Sequence, residues 1–427
     1  MSYSLRNANI LVIGQIKTSR TESVEEYLRN RCHKLAKIGL AGIHHRLWGQ
    51  CVLYEKGNIV KVLSLPSLYG KVPGHGPLIF SHYLLQTFLV ILSNLRLRTR
   101  FHFVIGISSF NAFLSILLRR LGFVDYVIYY GIDYPFQRCM TSVLFRWLDE
   151  FSAKNSDVIW DLSPTISRAR DVNMKSDQKA LTKMIVPLTY ASRILTLLSL
   201  NEIERWTMAF IGTLNELQGL QLLIEAMPEI VRHMPNVLVR VIGDGPYADK
   251  LKKMVNKLGL NKHFVFYGFI EKDCDVINII SRCAIGVALY VPTPENNALA
   301  ADPGKIKFYT FLGLPVIATK TPSGLLIARS GAGITIEYDS NELASAVVKL
   351  LSDTQLLTTY RQNANSFAQS YTSERVFPEI FNTTLQSLDR KYARKYAQKE
   401  CQITSQVCRH KLHLLALQEI FGKYISA

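Results

Sequence analysis

The sequence predicts an α/β protein with two successive domains, each built on a parallel sheet with helices on both faces. Short apolar runs that end in glycine or a polar loop alternate with segments of helical spacing, as in βα units. This alternation occurs before about residue 172 and again after about residue 205, and the polar segment between them keeps no period. At 427 residues the chain also suits two cores better than one.

The first half opens with a buried strand over residues 8–14. Residues 21–38 follow as a predicted helix, because apolar residues from Val24 to Leu35 recur with a helical period. Further strands are predicted at residues 50–54, 59–64, 102–107, 125–130 and, with a following turn, 156–166. Helices are predicted near residues 80–95, 110–121 and 139–153.

The second half repeats the pattern, and ligands of such sheets bind beyond the carboxyl ends of the strands. Its strands are predicted at residues 206–212, 237–243, 263–267, 284–290 and 314–318. Its helices are predicted at residues 219–233, 246–258, 273–282, 305–312, 341–352 and 355–371. We therefore place the domains at 1–190 and 191–372, followed by a helical tail at 373–427. We expect this tail, basic and then apolar, to pack back on the first domain; contact with a membrane or a partner is the alternative.

Positive charge is concentrated in the first half of the chain. Residues 1–190 contain 24 Lys and Arg against 12 Asp and Glu, a net charge of +12, whereas residues 191–427 contain 26 against 21, a net charge of +5. This surplus indicates an anionic partner: a lipid surface, a phosphorylated acceptor or nucleic acid. The sequence has no recognisable helix-turn-helix, zinc or aromatic RNA motif, so we do not expect nucleic acid.

Cysteine and histidine usage points to a reducing compartment and to a protein without metal or cofactor. The seven cysteines are scattered without a C-x-x-C pair, and the ten histidines form no H-E-x-x-H array. No charged-then-apolar leader precedes the first strand, which indicates a cytoplasmic protein.

The apolar segment 83–95 bears on membranes. It is 13 residues long and is followed by Arg96, Arg98 and Arg100, whereas a spanning helix needs about 20 apolar residues. Two interpretations remain. The segment is either a buried helix of the first domain or an interfacial helix whose arginines reach lipid phosphates, which would make the protein peripheral on the inner face of the membrane.

Two glycine-containing turns in the second half are suited to an anionic ligand. In residues 209–226 a strand ends at Gly212 and Gly219 opens a helix, whose free N–H groups and dipole favour a phosphate. In residues 237–251 the sequence Gly243-Asp244-Gly245-Pro246 forms a tight turn before the next helix. Each turn is also common as plain architecture.

A third segment, residues 292–319, adds a full positive charge. A loop rich in Pro and Asn leads to Asp302-Pro303-Gly304, and Lys305 then stands at the start of a helix. A lysine there reinforces the helix N-terminus, which is suitable for stabilising a diphosphate leaving group.

These segments, in this order and with the later run Arg361–Ala368, resemble the donor-binding domain of glycosyltransferase family 4. That family consists of retaining transferases with the two-domain GT-B fold. The resemblance covers roughly residues 206–372, with a weaker likeness to the acceptor domain within 126–164. It implies a nucleotide-sugar donor in the cleft between the domains, no metal, and retention of anomeric configuration.

The chain departs from the family pattern at the donor site. Thr213 and Gln218 stand where basic residues usually bind the diphosphate, and Ala300 and Phe308 stand where a pair of glutamates contacts the sugar and the ribose. Three neighbouring residues are the expected substitutes: the carboxylates Glu295 and Asp302 and the cation Lys305. The usual N-terminal glycine-rich loop is replaced by a segment in which Lys17 and Arg20 can hold an anion.

Site residues follow from these motifs. We expect Lys305 to stabilise the leaving diphosphate and Asp133, in the loop after residues 125–130, to orient acceptor or sugar hydroxyls, although a loop cap suits Asp133 as well. The predicted donor-binding residues are Gly212, Thr213, Asn215, Gln218, Gly219, Gly243, Asp244, Gly245, Glu295, Asp302, Gly304 and Phe308. The predicted acceptor-side residues are Lys17, Arg20 and His75.

The favoured function is transfer of a sugar from a nucleotide-sugar to a glycan or a lipid-linked acceptor in cell-envelope polysaccharide or glycolipid synthesis. The alternative is a catalytically degenerate GT-B subunit that scaffolds a partner transferase, supported by the altered glutamate pair. A sugar-nucleotide 2-epimerase shares the scaffold but needs an acid/base cluster that the sequence does not show.

Overall fold

The computed structural model describes residues 4–15, 19–40, 49–66, 79–134, 140–173, 182–293, 296, 298 and 302–391. Two sheets, one of eight strands and one of six, organise this part of the chain. Each lies between layers of helices, so the chain has the predicted class of two successive α/β domains.

The first sheet has the order β4-β3-β2-β1-β5-β6-β7-β8. Its strands are β1 (Asn9–Gln15), β2 (Lys34–Leu40), β3 (Gly49–Glu55), β4 (Asn58–Leu65), β5 (Phe101–Ile107), β6 (Val124–Gly131), β7 (Val158–Asp161) and β8 (Thr182–Ile185). Its helices are α1 (Ser19–Arg29), α2 (Ile79–Leu97), α3 (Ser109–Arg120), α4 (Met140–Asn155) and α5 (Pro164–Asn173).

The predicted helix over residues 21–38 is wrong in its second half. Helix α1 ends at Arg29, and Lys34–Leu40 forms β2, which pairs with β1 in parallel. Because β2 is buried on both faces, its apolar residues do not alternate, and Leu35 continued the helical stripe by coincidence.

The first sheet is also not wholly parallel. Strands β3 and β4 run antiparallel to their neighbours and form a hairpin closed by Lys56 and Gly57, both with positive φ. A two-residue turn of this kind joins antiparallel strands, whereas a parallel crossover needs about a dozen residues. The short gap between the predicted strands 50–54 and 59–64 carried this information.

The second sheet is parallel throughout, with the order β11-β10-β9-β12-β13-β14. Its strands are β9 (Glu204–Ile211), β10 (Leu238–Ile242), β11 (Phe264–Gly268), β12 (Cys283–Ala288), β13 (Val316–Thr319) and β14 (Gly333–Ile336). Its helices are α6 (Leu220–His233), α7 (Ala248–Lys257), α8 (Asp273–Ser281), α9 (Gly304–Phe311), α10 (Pro322–Arg329), α11 (Ser340–Ser352) and α12 (Thr354–Gln369). Four short elements of the two domains, α5, β8, α10 and β14, were not predicted.

After α12 the chain returns to the first domain as a helix over residues 373–391, here α13. Its Phe377 and Phe381 belong to the core of that domain, and the indole N–H of Trp160 donates to the Thr384 hydroxyl at 3.0 Å. The remainder of the predicted tail, residues 392–427, lies outside the described residues.

The two chain segments that connect the domains lie side by side. The backbone of Tyr190, on the outgoing segment, donates to Tyr371 at 3.4 Å and accepts from Ser373 at 2.9 Å. Within the described residues, no helix is both long enough and apolar enough to span a bilayer.

Candidate active site

A cavity of about 920 Å³ lies between the two domains, at the carboxyl end of β9 and beside the start of α9. Its volume is in the range of about 300–1,000 Å³ that is usual for small-molecule sites. The predicted site residues that line it are Asp133, Gly212, Thr213, Gln218, Gly243, Asp244, Asp302, Gly304, Lys305 and Phe308.

The floor of the cavity is bare backbone. Strands β9 and β10 end at Gly212 and Gly243, and the Gly212 amide donates to the Ile242 carbonyl at 3.0 Å. A β-carbon on Gly243 would lie only 1.9 Å from the Gly212 carbonyl oxygen. The two turns therefore pack main chain against main chain, which brings a ligand close to peptide groups.

Lys305 projects from the first turn of α9 against this floor. A β-carbon on Gly212 would lie 3.3 Å from the Lys305 Nζ atom, and the ammonium faces the rings of Phe210 at 4.3 Å and Tyr290 at 5.1 Å from their centroids. Although part of the residue reaches the surface, its Nζ atom is buried and has no hydrogen-bond partner among the described residues.

Burial without a counter-charge lowers the pKa of Lys305 from its ordinary 10.5 to about 7. The cause is the loss of hydration of the ammonium, which the two aromatic faces replace only in part. An anion entering the cavity would supply the missing partner. The Lys305 ammonium is therefore positioned to bind an anionic ligand.

Helix α9 is held so that its start faces the cavity. The buried Tyr309 packs against Gly286 of β12, and its hydroxyl accepts a hydrogen bond of 2.8 Å from the backbone N–H of Ile211. This bond ties the end of β9 to α9. Pro303 precedes the helix and provides no side-chain cap, so the first N–H groups are not capped from the helix's own N-cap position.

Gln218 reaches the same point as Lys305, since its Oε1 atom would lie 3.5 Å from a β-carbon on Gly212. Thr213 lines the cavity and is exposed. A neutral amide and a hydroxyl thus stand on the second-domain wall, and the positive charge comes from α9 instead.

Three predicted donor-binding residues are not among those that line the cavity. The Asn215 side chain accepts from the Gln218 backbone N–H at 3.2 Å and so caps the turn. Gly219 and Gly245 lie against main chain, with carbonyl oxygens 1.5 Å and 2.5 Å from the positions that their β-carbons would take. All three shape the loops that the donor would touch.

Asp302 lines the cavity but is already engaged. One of its carboxylate oxygens accepts from the Lys307 ammonium and from the Leu188 N–H at 3.0 Å, and the other accepts from the Ser323 hydroxyl at 3.3 Å. Lys307 in turn donates to the Leu188 carbonyl at 3.0 Å. This buried ion pair joins the end of the first domain to α9. The Asp302 carboxylate therefore has few lone pairs free for its expected role in binding the donor.

Phe308 occupies the wall where the family pattern has an acid. Its ring lies 5.9 Å from the ring of Tyr190, whose hydroxyl donates to the Gly304 carbonyl at 3.3 Å. This part of the cavity therefore offers an aromatic surface to a ligand.

Besides the predicted Asp133, the first domain contributes two acidic residues to the cavity that were not predicted. Glu22 and Glu26 of α1 line the cavity together with Arg193 and, from the second domain, Asp273. Burial raises the pKa of Glu22, and the carboxylate of Asp273 adds to the effect. Only part of the signal was available: Glu22 and Glu26 are one helical turn apart on one face of α1, but nothing local shows what that face meets.

Four predicted residues cannot be placed in the site. Lys17, His75 and Glu295 lie outside the described residues. Arg20 is in the first turn of α1, where only the backbone is described. Their roles remain predictions.

The described residues contain no group of three or more His, Cys, Asp or Glu side chains placed to hold a metal ion. Lys305 and Arg193 are the two cations among the described residues that line the cavity.

Comparisons with known proteins match the second domain by sequence. Residues 205–353 match the family model described as glycosyl transferases group 1. The GDP-mannose-dependent alpha-(1-6)-phosphatidylinositol monomannoside mannosyltransferase of Mycolicibacterium smegmatis is 27% identical over 142 residues, 32% of this chain and 36% of that protein. An uncharacterized glycosyltransferase of Methanocaldococcus jannaschii is 27% identical over 114 residues, 27% of this chain and 26% of that protein. These matches span about a third or less of either relative.

Solved structures match the whole arrangement of both domains. Sucrose-phosphate synthase from Thermosynechococcus elongatus superposes with a TM-score of 0.67 at 13% identity, covering 90% of this chain and 100% of that one. Anabaena HepE in complex with UDP and glucose superposes with a TM-score of 0.62 at 15% identity, covering 88% and 99%. The chain therefore has the GT-B fold expected from its sequence, and its residues 205–353 are similar to the family described as glycosyl transferases group 1.

Proposed function

We propose that the chain is a glycosyltransferase that moves a sugar from a nucleotide-sugar to a glycan or lipid-linked acceptor. The observation that carries this proposal is the buried ammonium of Lys305, which has no partner among the described residues and lies beside the Gly212 backbone. It faces a cavity of small-molecule size between the two domains of the GT-B fold. A diphosphate would provide the counter-charge that this ammonium lacks.

In the proposed reaction the bond between the anomeric carbon and the diphosphate oxygen breaks while a bond to the acceptor oxygen forms. Lys305, with the N–H groups at the start of α9, stabilises the charge that develops on the leaving diphosphate. With retention, the acceptor attacks from the face that the diphosphate leaves, and a phosphate oxygen takes the acceptor proton. No strong general base is required, and no metal is needed for charge stabilisation.

The first-domain wall would hold the acceptor. Asp133, exposed to the cavity at the end of β6, is placed to accept a hydrogen bond from an acceptor or sugar hydroxyl. Glu22 adds a further carboxylate on the same side, whereas both carboxylate oxygens of Glu26 already accept from Arg193, at 2.9 Å and 3.1 Å. A wall of carboxylates favours a hydroxyl-rich neutral group at the reacting end of the acceptor, since an anion there would be repelled.

The nucleotide and the pathway are proposals by likeness. The relative from Mycolicibacterium is named for GDP-mannose and a phosphatidylinositol mannoside acceptor, and HepE was solved with UDP and glucose. These names are consistent with a nucleoside diphosphate sugar as the donor and with a lipid-linked glycan as the acceptor. We propose a role in envelope polysaccharide or glycolipid synthesis, in the cytoplasm and at the inner membrane face.

Calorimetry with UDP, GDP and the matching monophosphates tests the donor site. We expect one of the diphosphates to bind and its monophosphate to bind more weakly, because Lys305 would face the terminal phosphate.

Lys305→Ala should lower turnover by ~10²-fold, the usual loss for one charge-stabilising group. Lys320→Ala is the control, since Lys320 is exposed and pairs with Glu337 away from the cavity.

The scaffold alternative predicts a different result. A subunit with a decayed donor site would bind neither diphosphate, and Lys305→Ala would change nothing that calorimetry measures. Unchanged turnover in Lys305→Ala of an active enzyme would contradict the role assigned to this residue.

A further inference from the structure

Helix α2 is apolar on both sides, because Leu89, Val90 and Leu97 are buried in the core of the first domain while other apolar residues are exposed on its outer side. The buried face contains His82, Gln86 and Ser93, which lie about half a turn away from the exposed residues. These polar groups are satisfied within the helix: Gln86 Nε2 pairs with His82 Nε2 at 2.7 Å, and the Ser93 hydroxyl donates to the Leu89 carbonyl at 2.7 Å. A helix that is apolar all round is normally buried on every side, so the exposed outer side of α2 indicates a further apolar partner.

The outer side is a continuous apolar stripe. Leu84, Phe88 and Leu95 are exposed by 71%, 60% and 55%, and half-buried Ile91 lies between them. Their spacing of four, three and four residues keeps all four within a narrow arc of the helix. Arg96 is the one charged residue among the 19 of this helix.

Helix α4 extends the stripe on the same side of the domain. Val143 and Trp147, one turn apart, are exposed by 63% and 54%. Tyr83 of α2 contacts Phe145 of α4, with ring centroids 6.0 Å apart. The stripe of α2 and the pair Val143 and Trp147 together are called here the apolar ridge.

Basic residues border the apolar ridge. Arg96 and Arg98 are exposed where α2 ends. Arg120 is exposed and lies over the ring of Phe151, 5.6 Å from its centroid, and this ring stacks on Trp147. With the net charge of +12 on residues 1–190, the border is complementary to anionic phosphates.

One end of the apolar ridge is close to the cavity. Helix α4 begins at Met140, seven residues after Asp133, which lines the cavity at the carboxyl end of β6. In a βα unit the helix starts at the end of the sheet where the strand finishes. Val143 and Trp147, in the first two turns of α4, are therefore on the cleft side of the domain.

We propose that the apolar ridge docks on the surface of an anionic lipid bilayer, with α2 lying in the plane of the interface. Apolar side chains at the acyl boundary, a tryptophan at headgroup level and flanking arginines are the features of such a helix. Docked in this way, the protein presents the acceptor side of its cleft to a lipid-borne substrate. Only this last point rests on the proposed function.

Vesicle flotation with the full chain tests the docking. We expect co-flotation with vesicles of phosphatidylcholine and phosphatidylglycerol in equal parts, and weaker binding to phosphatidylcholine alone or at raised salt. The double variant Leu84→Gln/Phe88→Gln should bind at least roughly tenfold more weakly, because two large apolar side chains no longer leave water. The matched control is Val172→Gln/Leu258→Gln, two exposed apolar residues outside the ridge.

Trp147 provides a second readout. Its fluorescence should shift to shorter wavelength when vesicles are added, and Trp147→Phe should lose most of this shift while it still floats. A shift that persists in Trp147→Phe, or equal flotation of the Leu84→Gln/Phe88→Gln variant and the wild type, overturns the proposal.

Two other occupants of the ridge give different results. If the chain's own residues 392–427 covered it, a chain ending at residue 391 would bind vesicles more tightly than the full chain. If a second copy covered it, the wild type would sediment as a dimer and Leu84→Gln/Phe88→Gln as a monomer. A dimer that depends on Leu84 and Phe88 contradicts lipid as the occupant, and tighter binding by the shortened chain contradicts lipid as the occupant in the full chain. Diphosphate binding by the wild type separates the two proposals: a wild type that floats with vesicles but binds no diphosphate contradicts the proposed enzyme and leaves the docking proposal intact.

Discussion

At the residue scale, Lys305 lowers the stability of the ligand-free protein because its ammonium is buried, and the same burial suits it to bind an anion. Its pKa of about 7 in the folded chain, against 10.5 ordinarily, means that the folded state binds its proton less tightly than the unfolded state. The free energy of unfolding therefore rises with pH between about 7 and 10.5. Below pH 7 both states are protonated, and the cost of the buried charge, at most about 5 kcal/mol, is present in full.

Lys305→Met should accordingly stabilise the protein without ligand. We expect the variant to show a higher free energy of unfolding than the wild type at pH 7, with the difference shrinking as the pH approaches 10. Urea unfolding of both proteins across this range measures it. A variant that is less stable at pH 7, or a gap that does not narrow with pH, would show that the ammonium has a partner in the folded chain.

Individual site residues differed in how well the sequence could specify them. Lys305 was predictable because its position after Asp-Pro-Gly places it in a first helical turn by local rules alone. The ion pair of Asp302 was not predictable, because it depends on Lys307 and on Leu188, a residue more than a hundred positions away; its role toward the donor stays a prediction. Glu22 was missed because nothing local shows that α1 faces the opposite domain.

At the scale of elements, the start of α6 is fixed by one backbone conformation. Gly219 has φ of 74°, and a β-carbon there would lie 1.5 Å from the Leu289 carbonyl oxygen. Gly219→Ala must therefore displace either α6 or the chain after β12 (Cys283–Ala288). Gly259 is a matched control, because its φ of 68° is similar but nothing lies within 4 Å of its β-carbon position.

We expect Gly259→Ala to cost about 1 kcal/mol, the strain of a left-handed alanine alone. Gly219→Ala should cost clearly more than this control, because the steric overlap adds to the same strain. Chemical denaturation of the two variants and the wild type gives the comparison. Equal losses would mean that the loop before α6 relaxes freely and does not constrain the cavity.

Elements were predicted best where each had one dominant signal. The strands β1, β5 and β9 stood out as apolar runs of strand length between helical segments. The region after Arg29 failed because a strand buried on both faces and a helix share the same run of apolar residues over a few positions. The antiparallel β3–β4 hairpin was located but given the wrong direction, since periodicity does not report direction.

At the scale of the whole molecule, the buried pair Asp302–Lys307 fastens the connection between the domains. Lys307→Met removes the cation that Asp302 and the Leu188 carbonyl share, and it should cost about 3–5 kcal/mol because a buried carboxylate loses its partner. Lys320→Met, at the exposed pair with Glu337, should cost no more than about 1 kcal/mol.

Adding Asp302→Asn to Lys307→Met separates charge from packing. If the buried charge is the cause, the double variant should regain part of the loss measured by urea unfolding. A double variant that is as unstable as the sum of the two single variants would instead assign the loss to packing around Tyr371, whose ring lies 3.9 Å from the Lys307 ammonium.

The two-domain plan was predictable because the βα alternation occurs twice, with a polar break between the two stretches. What the sequence could not show is which faces meet across the cleft, since Asp133, Glu26 and Lys305 come together only when both domains are assembled.

The adjoining crossings at Tyr190 and Thr372 have a mechanical consequence. Because the outgoing and returning segments are hydrogen-bonded to each other, we expect any relative motion of the two domains to be a rotation about these segments. Residues near this rotation axis would move least, and Gly304, whose carbonyl accepts a hydrogen bond from the Tyr190 hydroxyl, is one of them. The cradle for the diphosphate would thus keep its shape while the far mouth, where an acceptor enters, widens and narrows.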